Sequence, residues 1–82
     1  MPQSTTRNLR RIIVRLCDET NNAGEVKTAQ LDNVIGEIAG FSPPTLRLYK
    51  GRLYDLLYIR LHALKGETWI LQDKAFKVKL NA

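Results

Sequence analysis

An α+β fold of three helices followed by a C-terminal β-hairpin is what this chain of 82 residues predicts. Three observations carry that expectation. Apolar residues recur at helical spacing in three separate stretches. A glycine and a Ser-Pro-Pro sequence divide the second stretch from the third at a tight reversal. Near its end the chain alternates strictly, with Phe76, Val78 and Leu80 separated by Lys77 and Lys79. The length suits one domain with a modest core, and a hydrophobic content of 44% places it among folding chains.

Residues 1–4 are polar and are expected to be loose. From Thr5 or Thr6 as a cap, Leu9, Ile12, Ile13, Leu16 and Cys17 fall on one helical face, while Arg7, Arg10, Arg11 and Arg15 take the others. The stretch Asp18 to Gly24 is turn-rich and ends this helix. Glu25, Val26 and Lys27 fit a short strand. Thr28 is the expected cap of a second helix through Leu31, Val34, Ile35 and Ile38, which Gly40 stops because positive backbone angles cost glycine little. Phe41 is expected as a buried turn residue. Ser42 then offers a capping hydroxyl ahead of Pro43 and Pro44, whose missing N–H groups a first helical turn does not use. The third helix begins there, within one residue, and Leu46, Tyr49, Leu53, Leu56 and Leu57 continue its apolar stripe. Beyond Leu57 two readings stand: the helix runs on to Lys65-Gly66, or Tyr58 to Leu64 is a strand. Thr68 to Gln72 and Phe76 to Leu80 are expected to pair as a hairpin around Asp73-Lys74.

The run from Ile35 to Arg47, I-G-E-I-A-G-F-S-P-P-T-L-R, resembles the helix-turn-helix core of bacterial repressors of the lactose-repressor type. It has Gly36 four residues before the turn glycine, an apolar residue after it, then Ser42 and Thr45 three apart. The likeness covers about twenty residues. The shorter piece SPPTLRLY is similar to the recognition segment of mercury-resistance regulators, though the spacing before it is three residues too short. Helix, short strand, helix-turn-helix and hairpin together resemble a small winged helix-turn-helix domain, the hairpin being the wing. That likeness implies a second motif helix lying in the major groove of DNA.

By carry-over from the repressor motif, the base-reading positions are Pro43, Pro44 and Leu48. Those residues cannot make the paired hydrogen bonds that distinguish base pairs, and can only touch a thymine methyl. Arg47 is therefore the expected guanine contact, with Lys50 and Arg52 on phosphates. Lys74, Lys77 and Lys79 of the hairpin, and Arg7 and Arg10 near the N-terminus, are expected to grip the flanking backbone.

Charge agrees with that expectation. The formal net charge is +5, and it is segregated: Phe41 to Lys65 holds five basic residues and one acidic, Gly24 to Gly40 one basic and three acidic. Catalytic chemistry finds no foothold. His62 has no ligand or acid–base partner at useful spacing, Cys17 lies on an apolar face, Trp69 between Thr68 and Ile70 reads as core, and no glycine-rich phosphate loop is present. With one cysteine and no long apolar run, the chain reads as a cytoplasmic protein of a reducing compartment, free of metal, cofactor and small-molecule ligand. The expected partners are double-stranded DNA and a second copy of the chain, the latter met through apolar surface supplied by Tyr54, Tyr58, Ile59 and Trp69. The alternative is a protein-interaction module docking through Leu48, Tyr54 and Tyr58.

Overall fold

The computed structural model describes the backbone of residues 2–20 and 23–81, with side chains from Thr5 onward within those ranges. Four helices and three strands follow one another: α1 (Pro2–Glu19), β1 (Glu25–Lys27), α2 (Thr28–Ala39), α3 (Pro43–Asp55), β2 (Ile59–Leu61), β3 (Thr68–Leu71) and α4 (Asp73–Leu80). The strands form one antiparallel sheet in the order β1-β3-β2, with Val26 opposite Trp69 and Leu61 opposite Trp69 on the other side.

The apolar face of α1 is the floor of the core. Ile12, Ile13, Leu16 and Cys17 are essentially inaccessible, and Leu31, Val34 and Ile35 of α2, Leu53 of α3, and Val26 and Ile59 of the sheet close over them. At about 1.5–3 kcal/mol for each large side chain fully removed from water, this cluster is the main stabilising element of the domain. Burial of Cys17 pushes its thiol above the ordinary range, and an inert packing role follows.

Several boundaries differ from the sequence expectation. Helix α1 reaches back to Pro2, where proline's fixed φ suits a first turn, so residues 2–4 are helical and not loose; Met1 lies outside the described residues. Within the expected turn Asp18 to Gly24, positions 21 and 22 lie outside the described residues as well. Thr28 is the first residue of α2, not its side-chain cap. Its N–H donates to the Glu67 carbonyl and its hydroxyl accepts from Trp69 Nε1 at 2.9 Å, which ties the helix start to β3.

The fork after Leu57 resolves to a strand. Helix α3 ends at Asp55, and a left-handed Leu57 (φ 66°) reverses the chain. The Tyr58 N–H reaches the Leu53 carbonyl and the Leu57 N–H the Tyr54 carbonyl, the bonding of a Schellman termination. Glycine usually fills that left-handed position. Here a 64% exposed leucine does, and Leu56 before it is 40% exposed, so the expected stripe ends at Leu53.

The expected C-terminal hairpin is overturned, and with it the count of three helices. Phe76 to Leu80 lie in α4. A strand needs an unpaired neighbour, and β3 already bonds β1 along one edge and β2 along the other. With both edges of that expected partner taken, residues 73–80 coil and bury Ala75 against α1, with Asp73 in the first turn and Lys77 and Lys79 in the last, each sign suiting its end of the helix dipole. The hairpin of the fold is instead β2–β3, joined by residues 62–67.

Candidate nucleic-acid interface

Helix α3 is presented by a turn built around two glycines. Gly40 ends α2 at φ 124°, ψ 151°, an extended backbone of positive φ that side-chain-bearing residues rarely adopt. Gly36 lets the chain fold back on itself, because a Cβ there would overlap the Phe41 ring. Phe41 was expected to be buried, yet it is 60% exposed: it covers Gly36 from outside instead of entering the core. Ser42 then caps α3 as expected, its Oγ accepting from the Thr45 N–H while its hydroxyl donates to Thr45 Oγ1 at 2.7 Å.

From this start Tyr49 and Leu53 turn inward and Leu46 is half-buried. The Tyr49 hydroxyl accepts from Asn8 Nδ2 at 3.1 Å, which fixes the roll of α3 against α1. Ser42, Pro43, Pro44, Arg47, Leu48 and Arg52 consequently face solvent along one side, with Thr45 half-buried among them. Arg47 and Arg52 make no ion pair among the described residues.

Lys50 is differently placed. Its Nζ lies 2.8 Å from Asp32 Oδ1, an oxygen shut off from solvent, so it braces α3 to α2. The other ion pairs do not involve α3. Arg15 bonds Glu19 at 2.8 Å and reaches Glu37, Lys79 meets Asp18 at 2.9 Å, and Lys65 meets Glu25 at 3.0 Å. The hydrogen bond from Arg15 holds the Glu37 carboxyl below its ordinary range, and the bond from Lys65 does the same for Glu25.

The three lysines assigned to a hairpin lie on α4, so that placement is corrected for each. Lys74 Nζ donates to the Leu56 carbonyl at 2.8 Å and sits 4.7 Å from the Tyr58 ring centre, where it closes the C-terminal end of α3. Lys79 belongs to the ion pair with Asp18, and Lys77 is exposed without an ion-pair partner among the described residues. On α1, Arg7 and Arg10 are exposed beside a groove that Leu56 and Tyr58 close from the α3 side. Their arginine-bearing helix thus adjoins the end of α3.

Arg60, exposed on β2 and unpaired among the described residues, is the basic position that sequence reasoning missed. Its signal was the alternation of Tyr58 to Leu64, which places Arg60 on the solvent face once that run is a strand. His62 takes a packing role: its Nδ1 accepts from the N–H groups of Leu64 and Lys65, 3.0 Å each, and shapes the β2–β3 connection.

Ile59, expected on an exposed dimer surface, is instead core at 1% exposure, and Trp69 is half-buried with its N–H satisfied. Trp69 also receives the Tyr54 ring edge-on, with centroids 6.5 Å apart. Among the described residues no group of acidic, histidine and cysteine side chains could hold a metal, and no helix is long and apolar enough to cross a membrane. Comparison with protein-family models, with curated proteins and with solved structures finds no match to this chain.

Proposed function

We propose that the chain is a winged-helix protein that binds double-stranded DNA and regulates transcription, with α3 in the major groove. The observation that carries this reading is the distribution of unmatched charge. Arg47 and Arg52 on α3 and Arg60 on β2 are solvent-facing and unpaired among the described residues, as are Arg7, Arg10 and Arg11 on α1 and Lys77 on α4, whereas Arg15, Lys50, Lys65 and Lys79 are spent on internal ion pairs. Cations held out of internal pairs remain available to replace the counterions of a phosphate backbone. The element order, and a hairpin β2–β3 directly after α3, support the winged arrangement. In this reading Arg47 contacts guanine, Ser42, Pro43, Pro44, Thr45 and Leu48 meet the groove, and Arg52 and Arg60 hold phosphates. Two half-sites bound by a homodimer supply the discrimination that Pro43, Pro44 and Leu48 cannot.

Duplex binding measured across a salt series tests the reading. With about four to six phosphate contacts per protomer, log affinity falls against log salt with a slope of roughly −4 to −5. A slope near zero rejects it. Sedimentation equilibrium at micromolar concentration tests the dimer, which a mass of 9.4 kDa together with one-to-one duplex binding rejects.

A protein-interaction module on the same scaffold is the second reading. It is favoured by the apolar side chains that α3 leaves half in solvent, Leu48 at 49% and Tyr54 at 51%. Binding that survives high salt is its signature.

A further inference from the structure

Between α1, α4 and the end of α3 lies a groove of about 690 Å³, the size of a cleft that seats a small molecule. Its lining has two chemistries. Leu9 and Ile13 of α1, both buried, form an apolar floor, and Leu56, Tyr58 and Val78 supply apolar walls. Arg7 and Arg10 stand beside them, three apart on α1 and so neighbours on the helix surface. Both are exposed, and neither has an ion-pair partner among the described residues. No acidic side chain lines the groove among the described residues. Lys74 adds a cation beside the Tyr58 wall, 4.7 Å from the ring centre, and its Nζ donates to the Leu56 carbonyl, so positive charge meets the negative end of α3 there. The lining comes from separate stretches of the chain, residues 6–13, 56–58 and 78, which is why no small-molecule site could be read from the sequence.

We propose that this groove binds a small amphipathic organic anion, a carboxylate on an aliphatic body, with the carboxylate on Arg7 and Arg10 and the body against Leu9, Ile13 and Val78. Guanidinium groups hold carboxylates through paired N–H donors, and apolar area buried alongside adds affinity without competing for the charge. A neutral apolar molecule gains only the second of these contributions, and an apolar cation is repelled by the two arginines. The phosphates of a duplex would use the arginines and leave the apolar floor uncovered. A bilayer surface meets protruding side chains and not a floor sunk between helices. The site stands whether or not the chain binds DNA.

Decanoate, decanol and decyltrimethylammonium share one aliphatic chain and differ in the charge of the head, so together they test the assignment. Titrated into the isotope-labelled wild-type chain and followed by amide NMR, decanoate should shift the resonances of residues 6–13, 56–58 and 78. It should bind about tenfold more tightly than decanol, with the ammonium compound weakest. The double variant Arg7→Gln, Arg10→Gln should erase that preference and leave both decanol affinity and Tm as in wild type, because neither arginine has an internal ion-pair partner. Should the double variant melt low, the head-group series on the wild-type chain still decides. Equal affinity for decanoate and decanol overturns the role of the arginines. Shifts centred on another surface overturn the placement, and no saturable binding of decanoate at millimolar concentration overturns the site. A duplex or phosphatidylglycerol vesicles moving these same resonances while decanoate moves none overturns it in favour of a phosphate-bearing partner.

Discussion

The two sides of the domain treat their charges differently. Along the seams of α1, α2 and α4, basic groups meet acidic ones, Arg15 with Glu19 and Glu37, Lys79 with Asp18, and Lys50 with Asp32, while Arg7, Arg10 and Arg11 of α1 and Lys77 of α4 stay exposed and unpaired among the described residues. Along the outward face of α3 and β2, Arg47, Arg52 and Arg60 stand without such partners among the described residues, and Asp55 is the one acidic residue of α3. Total charge alone does not distinguish the sides. What distinguishes them is whether the fold has already used each charge. A basic residue spent on an internal brace adds little to binding, because an anion must first displace its carboxylate.

That contrast can be broken at the turn that joins α2 to α3. Gly40→Val forces a β-branched residue into positive φ and should cost about 2–3 kcal/mol of stability, read as a fall of more than 10 °C in Tm. An unchanged melt would mean that the turn tolerates another path.

The contrast itself is sharpened by comparing Arg47→Ala with Lys50→Ala. Loss of Arg47 should leave Tm within error and cost about 1–3 kcal/mol of binding at preferred sequences, relaxing the preference among sites. Loss of Lys50 strands the enclosed Asp32 Oδ1 and should lower stability by about 1–2 kcal/mol. Melts and duplex titrations on the two variants should therefore separate. If Lys50→Ala melts normally and binds weakly, Lys50 belongs with the unspent charges.

A smaller effect of opposite sign is expected at Leu57. Its left-handed backbone costs a leucine about 1 kcal/mol, and its side chain is mostly in water, so Leu57→Gly should raise stability by up to that amount. Denaturant midpoints would measure it. A loss of stability would show that the side chain contributes more than its exposure implies.

The smallest effect concerns pH. The Glu37 carboxyl is held below its ordinary value of 4.5 by the hydrogen bond from Arg15. A depressed folded value adds stability above the unfolded carboxylate range and loses it as the pH falls through the folded value. Wild type and Arg15→Ala should accordingly differ in Tm at neutral pH and converge as the pH falls through the lowered folded range of the Glu37 carboxyl. A gap that persists in acid would place the effect of Arg15 in its packing and not in its charge.

Much of this architecture was legible in the sequence, and the failures have physical causes. Helix α1 could be read because Leu9, Ile12, Ile13, Leu16 and Cys17 repeat through several turns, and all five are buried. The Ser42 cap and the Gly40 stop could be read because both depend on local backbone chemistry. Residues 73–80 misled because a hairpin with β3 needs a free edge of β3, and both are taken, one of them by β1 from some forty residues earlier in sequence. The roles of Lys50 and Lys79 were hidden for a similar reason, since their carboxylate partners lie on other helices. Arg47 needed no such knowledge: outward on α3 by angle alone, it is outward in the fold.

The order of the strands has a further consequence for how the chain is made. The central strand β3 is the last of the three in sequence, and both flanking strands bond to it and not to each other. A nascent chain can thus form α1, α2 and α3 while β1 and β2 wait with unsatisfied edges, and the sheet closes in one step when residues 68–71 leave the ribosome. Until then Val26 and Ile59, which become core, have no sheet to hold them in register. A chain cut just before Thr68 should be a helical but uncommitted species, exposed to proteases and to self-association through its open strands, and one extended through Leu80 should fold.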